Sequence, residues 1–425
     1  MTRRAPSADT SHHTSDQHAG SRSNDWLPIG LGVAAVGWGA NQFAPLLLMY
    51  RSELAVSAAT VQAAYGVYAL GLVPGLLLGG PLSDRHGRRR VMVTALITSM
   101  AGSLLLIVGG QALVGLFAGR LVAGVASGAA FSAGIAWIKE LSAGTASDPG
   151  PGARRATVAM TAGFAGGPLV AGLVAQVAPV PTASAYVPHI ALIIVAIPFT
   201  VRATETRTPN PDVALWSPLR LPARSARRFR RVALPLAPWV FGASSIGLAY
   251  LPGSAADRMG NAVLLFSAMV TAATMISGIL VQPLARRVQH PTKPSSITTA
   301  LAIVVAGLLL GALSGAHPLL VGGSALVLGA GYGCCLVAGL TEVHRLAGSH
   351  NLASLTAVFQ AVAYTGFCVP YLLAVFESAL SPAVLLCVTA VLAGFTLAWT
   401  VREAVRNPPD DPASGVPADG ARKRV

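Results

Sequence analysis

Residues 80 to 90 read Gly80-Pro81-Leu82-Ser83-Asp84-Arg85-His86-Gly87-Arg88-Arg89-Arg90. The stretch joins two apolar runs, Ala58 to Gly79 and Val91 to Gly109, each about long enough to cross a bilayer. One acid and a knot of arginines therefore crowd a very short turn at a membrane surface. Arginines beside an apolar run ordinarily mark its cytoplasmic end. Topology alone does not explain the acid and the two glycines. An acid among arginines forms charge-assisted bonds that hold one conformation and part in another. Gly80 and Gly87 let backbones approach closely and turn sharply.

The same alternation of apolar runs and short polar breaks extends along the chain. Of 425 residues, 53% are hydrophobic and only 11% charged, a balance foreign to soluble domains. A window of about 20 residues predicts twelve spanning helices. The first six are Leu27 to Tyr50, Ala58 to Gly79, Val91 to Gly109, Ala112 to Ile138, Ala156 to Ala178 and Ala185 to Val201. The second six are Val232 to Leu251, Asn261 to Leu284, Ser296 to Ser314, Pro318 to Leu340, Leu352 to Phe376 and Pro382 to Thr400. The expected fold class is an all-α polytopic membrane protein.

The net charge of +14 raises nucleic acid as a partner. The arginines, however, sit at the ends of apolar runs and in the tails, not on one basic face, so no nucleic-acid binding is expected. Arg85, Arg88, Arg89, Arg90, Lys139, Arg154, Arg155, Arg286, Arg287, Lys293 and Arg345 fall on one predicted side, and only Arg51 and Arg258 on the other. The bias assigns the first side and both termini to the cytoplasm, and the protein to the plasma membrane.

Five regions follow: a disordered cytoplasmic tail (1–26), a six-helix bundle (27–201), a basic cytoplasmic connector (202–231), a second six-helix bundle (232–403) and a cytoplasmic tail (404–425). The connector, with its run Arg224 to Arg231, reads as a segment lying on anionic lipid. His12, His13 and His18 read as part of a polar tail and not as a metal site. Cys334, Cys335, Cys368 and Cys387 lack metal-ligand spacing and read as small apolar packers. No cofactor is expected.

The two halves repeat one another at an offset of about two hundred residues. Arg120 to Gly128 (RLVAGVASG) matches Ala325 to Gly333 (ALVLGAGYG), and Pro168 matches Pro370. Gln282 to Arg287 is an eroded copy of the 80–90 stretch, with Arg286 where the acid stands in the first half. Two parallel six-helix repeats result, and any lock formed by the acid is expected mainly in the first half.

The pattern G-x-x-x-D-R-x-G-R-R between the second and third helices resembles the signature loop of the major facilitator superfamily of transporters. Twelve helices in two repeats match that family's architecture. The resemblance implies gating roles for Gly80, Asp84, Arg85, Gly87, Arg88 and Arg89. The fifth helix carries Gly163-Phe164-Ala165-Gly166-Gly167-Pro168-Leu169-Val170-Ala171-Gly172. It resembles the family's antiporter motif, with Ala171 in place of one glycine. Gly163 and Gly167, one turn apart, make a smooth packing face, and Pro168 favours a bend.

Arg120 is the only formal charge deep inside a predicted helix, about 12 Å from its outer end. Buried in a membrane, it needs a partner or water. Followed by Gly124 and Gly128, it resembles the fourth-helix arginine of proton-coupled members and is expected to pair with a substrate's negative group, the alternative being a structural arginine bonded to backbone carbonyls. Asn41 and Gln42 lie at a similar depth, and Tyr332, Gln360 and Tyr364 fall near the midplane. Tyr65 and Tyr68 share a face of the second helix through their i, i+3 spacing. Asn41, Gln42 and Tyr332 are expected to line a substrate cavity; for the second and eleventh helices, interhelical bonding is an equal reading.

No acid lies deep in any helix, which points to a neutral or anionic substrate. The nearest titratable groups are His189 and Glu53. No zinc-protease, nucleophile-elbow or phosphate-loop motif occurs, so no enzyme is expected. The resulting expectation is a monomeric secondary transporter that exports a small organic molecule, with the proton as coupling ion. The alternative is symport or facilitated uptake of a small neutral or anionic solute.

Overall fold

A computed structural model describes residues 24–143, 150–215, 223–287, 295–347 and 352–406. The readings for segments 1–23 and 407–425, for His12, His13 and His18, and for Lys293 lie outside the described residues. Twelve helices among the described residues are long and apolar enough to cross a membrane. They are α1 (Leu27–Glu53), α2 (Ala58–His86), α3 (Arg88–Gly109), α4 (Leu113–Ser142), α5 (Gly150–Val177) and α6 (Pro181–Arg202). The second six are α7 (Ser225–Ser254), α8 (Ala256–Arg287), α9 (Ser295–Leu313), α10 (Pro318–Leu346), α11 (Ser354–Phe376) and α12 (Pro382–Arg406).

The 80–90 stretch is nearly all helix. Helix α2 runs on to His86 and α3 starts at Arg88, so Gly87 alone makes the corner, at φ +93°. Only glycine holds that backbone without strain. Gly80 does not turn; it brings α2 against α4, where an added Cβ would sit 3.0 Å from Ser132 Oγ. Polar helix ends continue past the apolar window because the bilayer limits hydrophobic length and not helix length.

Close glycine seats tie the helices of each half. A Cβ at Gly124 or Gly128 of α4 would strike the carbonyl oxygens of Tyr68 or Leu72 on α2. In the second half, Gly329 and Gly333 of α10 stand in the same relation to Thr274 and Gly278 of α8. Each pair is offset by about 205 residues, so the repeat read in the sequence is also a repeat of packing. One apolar core gathers side chains of α1 to α6 and reaches across to Leu248, Met275, Tyr364 and Phe367. A second lies within α7 to α12.

Helices α1, α7 and α11 are broken beside the space between the halves, while α6 and α8 are interrupted only near their ends. Helix α1 gives way to a 3-10 turn at Ala44–Leu46, beside Pro45. Helix α7 widens to π winding at Ile246–Tyr250. Helix α11 tightens to 3-10 winding at Thr365–Cys368, just before Pro370. A proline removes one helical N–H and crowds the preceding turn, which accounts for the first and third breaks. Helix α5, by contrast, passes through Pro168 without interruption. Of the cysteines, Cys334 and Cys335 are buried packers as expected, whereas Cys368 and Cys387 are exposed on the helix surface.

Gly128→Ala should cost about 1–3 kcal/mol, because its methyl meets backbone that has nowhere to move. Gly322→Ala, with open space around the new methyl, should leave the thermal midpoint of the purified protein unchanged. Equal midpoints for the two variants would contradict the seat geometry.

Candidate functional site

The breaks in α1, α7 and α11 surround a cavity between the halves. Asn41, Tyr68 and Phe164 line it from the first half, and Phe241, Ser244, Tyr332, Gln360 and Tyr364 from the second. Its lining contains no Asp, Glu, His, Lys or Arg. Phe241 is the hub, stacked on Tyr364 at 4.6 Å and on Phe367 at 5.1 Å between centroids. Phe367 also meets Tyr65 at 5.5 Å and Tyr68 at 5.8 Å, so the aromatic cluster crosses from one half to the other. Two amides supply polarity. Asn41 Nδ2 donates to the Phe164 carbonyl at 3.4 Å, while Gln360 Oε1 is buried without a hydrogen-bond partner. Such a wall offers π faces and a few acceptors, and no charge to pair with an ion.

Five of the eight predicted binding residues, Asn41, Tyr68, Tyr332, Gln360 and Tyr364, therefore stand in this wall. Gln42, Tyr65 and Arg120 do not. Arg120 is 1% exposed and sits behind the wall. Its guanidinium lies 4.6 Å from the Phe43 ring centre and 4.5 Å from that of Tyr68. It donates to the Ala40 carbonyl at 3.3 Å and to the Tyr65 carbonyl at 3.5 Å. Ala40 lies at the break in α1, and ring faces attract the cation in place of a counter-ion. This arrangement is the backbone-bonded arginine that depth alone could not distinguish from a substrate ligand.

Gln42 is likewise enclosed. It donates to Ser103 Oγ at 2.9 Å, and Ser103 Oγ lies 2.8 Å from His189 Nδ1. His189 is fully buried among α1, α3 and α6 and does not line the cavity. Glu53 is exposed beyond the end of α1's apolar run.

At the arginine-rich end, Arg88 binds two acids of its own half. Its Nη2 lies 3.0 Å from Asp84 Oδ1 and 2.8 Å from Glu140 Oε1, and its Nη1 bonds Ser83 Oγ. The start of the connector folds over this set, a feature missed in the sequence reading. Glu205 accepts from the backbone N–H groups of Arg88 at 3.1 Å and Arg89 at 2.9 Å. It thus caps the open N-terminus of α3 from more than a hundred residues away. Arg207 reaches Asp84 at 3.4 Å and Thr206 donates to Glu140 at 2.5 Å. Arg89 Nη2 donates to the Ala203 carbonyl at 3.1 Å, whereas Arg85 enters none of the described ion pairs. In the sequence Glu205 shows only as an acid four residues past an apolar run, in a connector of net positive charge, with nothing to name its partners.

The second half also carries ion pairs, though not at its eroded loop. Glu342 binds Arg228, and Glu403 binds Arg231 at 3.0 Å. The start of α7 thus takes over what Arg286 and Arg287, both exposed, do not provide. Each described pair at this end stays within one half. Direct hydrogen bonds between the halves lie at the opposite end. Gln62 donates to the Ala249 carbonyl at 2.7 Å, and Leu265 N to Gln176 Oε1 at 3.1 Å. The fifth-helix glycines face inward to their own half: Gly163 seats on Ala34 and Gly167 on Trp38, both of α1.

A family model described as Major Facilitator Superfamily matches residues 29–369. The chain belongs to that superfamily. It is an integral membrane transporter, not an enzyme. Among solved structures, a peptide transporter POT in complex with sulfate superposes with a TM-score of 0.71 at 15% identity, covering 91% of this chain and 96% of that one. A POT family transporter in complex with 5-aminolevulinic acid gives 0.72 at 11% identity, over 90% and 95% of the two chains. Another, with a thioalcohol conjugated peptide, gives 0.73 at 11% identity, over 90% and 96%. At these identities the likeness is one of fold. No curated protein matches the sequence significantly.

Glu205→Ala should speed amide exchange at Arg88 and Arg89 about five-fold, the equivalent of a lost helix cap of ~1 kcal/mol. Unchanged exchange there, measured by hydrogen–deuterium exchange of the purified protein, would show that the connector does not hold α3.

Proposed function

We propose that this transporter carries a small, uncharged organic solute by alternating access, in the uptake sense and down the solute's own gradient. The carrying observation is the cavity wall, which both halves build from aromatic and amide side chains with no ionisable carboxylate, imidazole or amine. A charged solute would leave water for a site with nothing to pair it, at a cost of several kcal/mol. A neutral planar solute exchanges water for ring faces at little cost. The structurally similar proteins are named as a POT family transporter and a peptide transporter, not as drug exporters, which supports the uptake reading. Their peptide ligands are not carried over, because a peptide's charged ends would find no counter-charge in this wall.

Export coupled to protons is the second reading, favoured by the fifth-helix pattern around Gly163, Gly167 and Pro168. Against it, those glycines pack on α1 of the same half, and neither His189 nor Glu53 reaches the cavity. By the positive-inside rule the arginine-rich end faces the cytoplasm. The cross-ties at the opposite end then describe a state closed to the outside. The Asp84–Arg88–Glu140 set, held by Glu205 and Arg207, stands free of the other half in this state and is positioned to meet it when the cytoplasmic mouth closes.

Counterflow into proteoliposomes tests the reading, with uncharged aromatic solutes beside cationic and anionic analogues of the same size. Uncharged solutes should exchange saturably and ignore an imposed pH gradient. Phe241→Ala should weaken their apparent affinity about ten-fold, the worth of its stacking. Asp84→Asn should slow exchange at unchanged affinity and membrane abundance. Accumulation opposite to proton flow would establish export, and accumulation along it symport; a preference for charged analogues would overturn the neutral-solute assignment.

A further inference from the structure

A second cavity, of about 290 Å³, lies between the halves at the end opposite the arginine cluster. It is separate from the central cavity and differs from it in chemistry. Arg51 at the end of α1 and Glu377 at the end of α11 both line it, one charge from each half. Neither enters any described ion pair. Arg51 is one of the two basic residues that the topology leaves on this side of the chain.

Two buried polar atoms also face this space. Gln62, 7% exposed, spends its Nε2 on the Ala249 carbonyl and leaves Oε1 without a partner. Tyr250, 5% exposed, has a hydroxyl that makes no well-formed hydrogen bond and lies beside Glu377. An unsatisfied buried polar atom costs about 1–3 kcal/mol, so its retention in a cavity wall calls for a ligand. The π winding of α7 at Ile246–Tyr250 places both the Ala249 carbonyl and Tyr250 here. Such winding is rare and recurs at functional positions. The remaining wall, Leu47, Leu48, Val61 and Ala374, is aliphatic.

We infer that this cavity is a site for a small zwitterion with an aliphatic side chain, of amino-acid size. Its carboxylate meets the planar fork of Arg51, its ammonium meets Glu377, and the free Oε1 of Gln62 and the Tyr250 hydroxyl beside Glu377 complete the polar contacts. The volume lies at the lower edge of ordinary ligand pockets, about 300–1,000 Å³, which limits the occupant to a small molecule. Arg51 and Gln62 belong to the first half, and Tyr250 and Glu377 to the second. An occupant therefore bridges the halves beside the Gln62–Ala249 tie and favours the state in which this end is closed.

The test uses the purified full chain and L-leucine as probe, with N-acetyl-leucine lacking the ammonium and leucinamide lacking the carboxylate. Leucine should bind saturably by calorimetry and raise the thermal midpoint, and each blocked analogue should bind at least about ten-fold more weakly. Arg51→Gln should erase the preference for leucine over leucinamide, and Glu377→Gln the preference over N-acetyl-leucine. Arg51 is exposed and Glu377 half-buried at a helix end, so both variants should fold, as their midpoints without ligand will show. Tyr364→Ala, in the central cavity, should leave leucine binding unchanged. The assignment is overturned if leucine does not bind at millimolar concentration, if binding ignores Arg51 and Glu377, or if Tyr364→Ala abolishes it.

Discussion

A helix crossing a bilayer has no water with which to satisfy its backbone, so a broken helix is tolerated only where protein or a cavity covers the break. Three of the interrupted helices, α1, α7 and α11, meet around the central cavity, and the arrangement of the site follows from that constraint. The break in α1 leaves the Ala40 carbonyl to Arg120. The π turn of α7 presents the Ala249 carbonyl to Gln62. The tightened turn of α11 carries Phe367 onto Tyr65 and Tyr68. Each break thus becomes a polar or aromatic junction, and two of them join one half of the molecule to the other.

Charge is distributed by depth under the same constraint. The ion pairs sit at the arginine-rich end, where water is near and the pairs can be exchanged. One cation, Arg120, lies at membrane depth, and it is enclosed by ring faces and backbone oxygens instead of being offered to a solute. The central wall is left neutral. Such a division gives the ends of the molecule the salt-dependent contacts that can part and re-form, and gives the middle a surface suited to an uncharged cargo.

The twelve helices, their pairing into two repeats and the crowded Asp84–Arg88 corner were legible in the sequence, because apolar length and arginine placement are read directly by a bilayer. Depth in the membrane also pointed to Tyr332, Gln360 and Tyr364, which line the central cavity. It did not separate them from Arg120 and Gln42, which stand outside the lining, since depth says nothing about which way a side chain points around its helix, and helices of glycine, alanine and valine carry almost no periodic signal to fix that angle. Phe241 and Phe367 were passed over because a phenylalanine in an apolar run looks like any other packing residue until a facing helix is known. Glu205 was missed for a related reason. Its partners are backbone N–H groups, and no sequence pattern records them.

Alternating access in this molecule requires the two halves to rock about the aromatic junction, so that opening one end closes the other. Pulsed EPR distances in liposomes test this most directly, with the exposed native cysteines replaced by serine. One label pair is placed across the far end through Ser57→Cys and Ser381→Cys, and another across the arginine-rich end through His86→Cys and Arg287→Cys. Breaking the far-end tie with Gln62→Ala should lengthen the first distance and shorten the second in the same fraction of molecules. A far end that opens while the arginine-rich distance stays fixed would contradict the account.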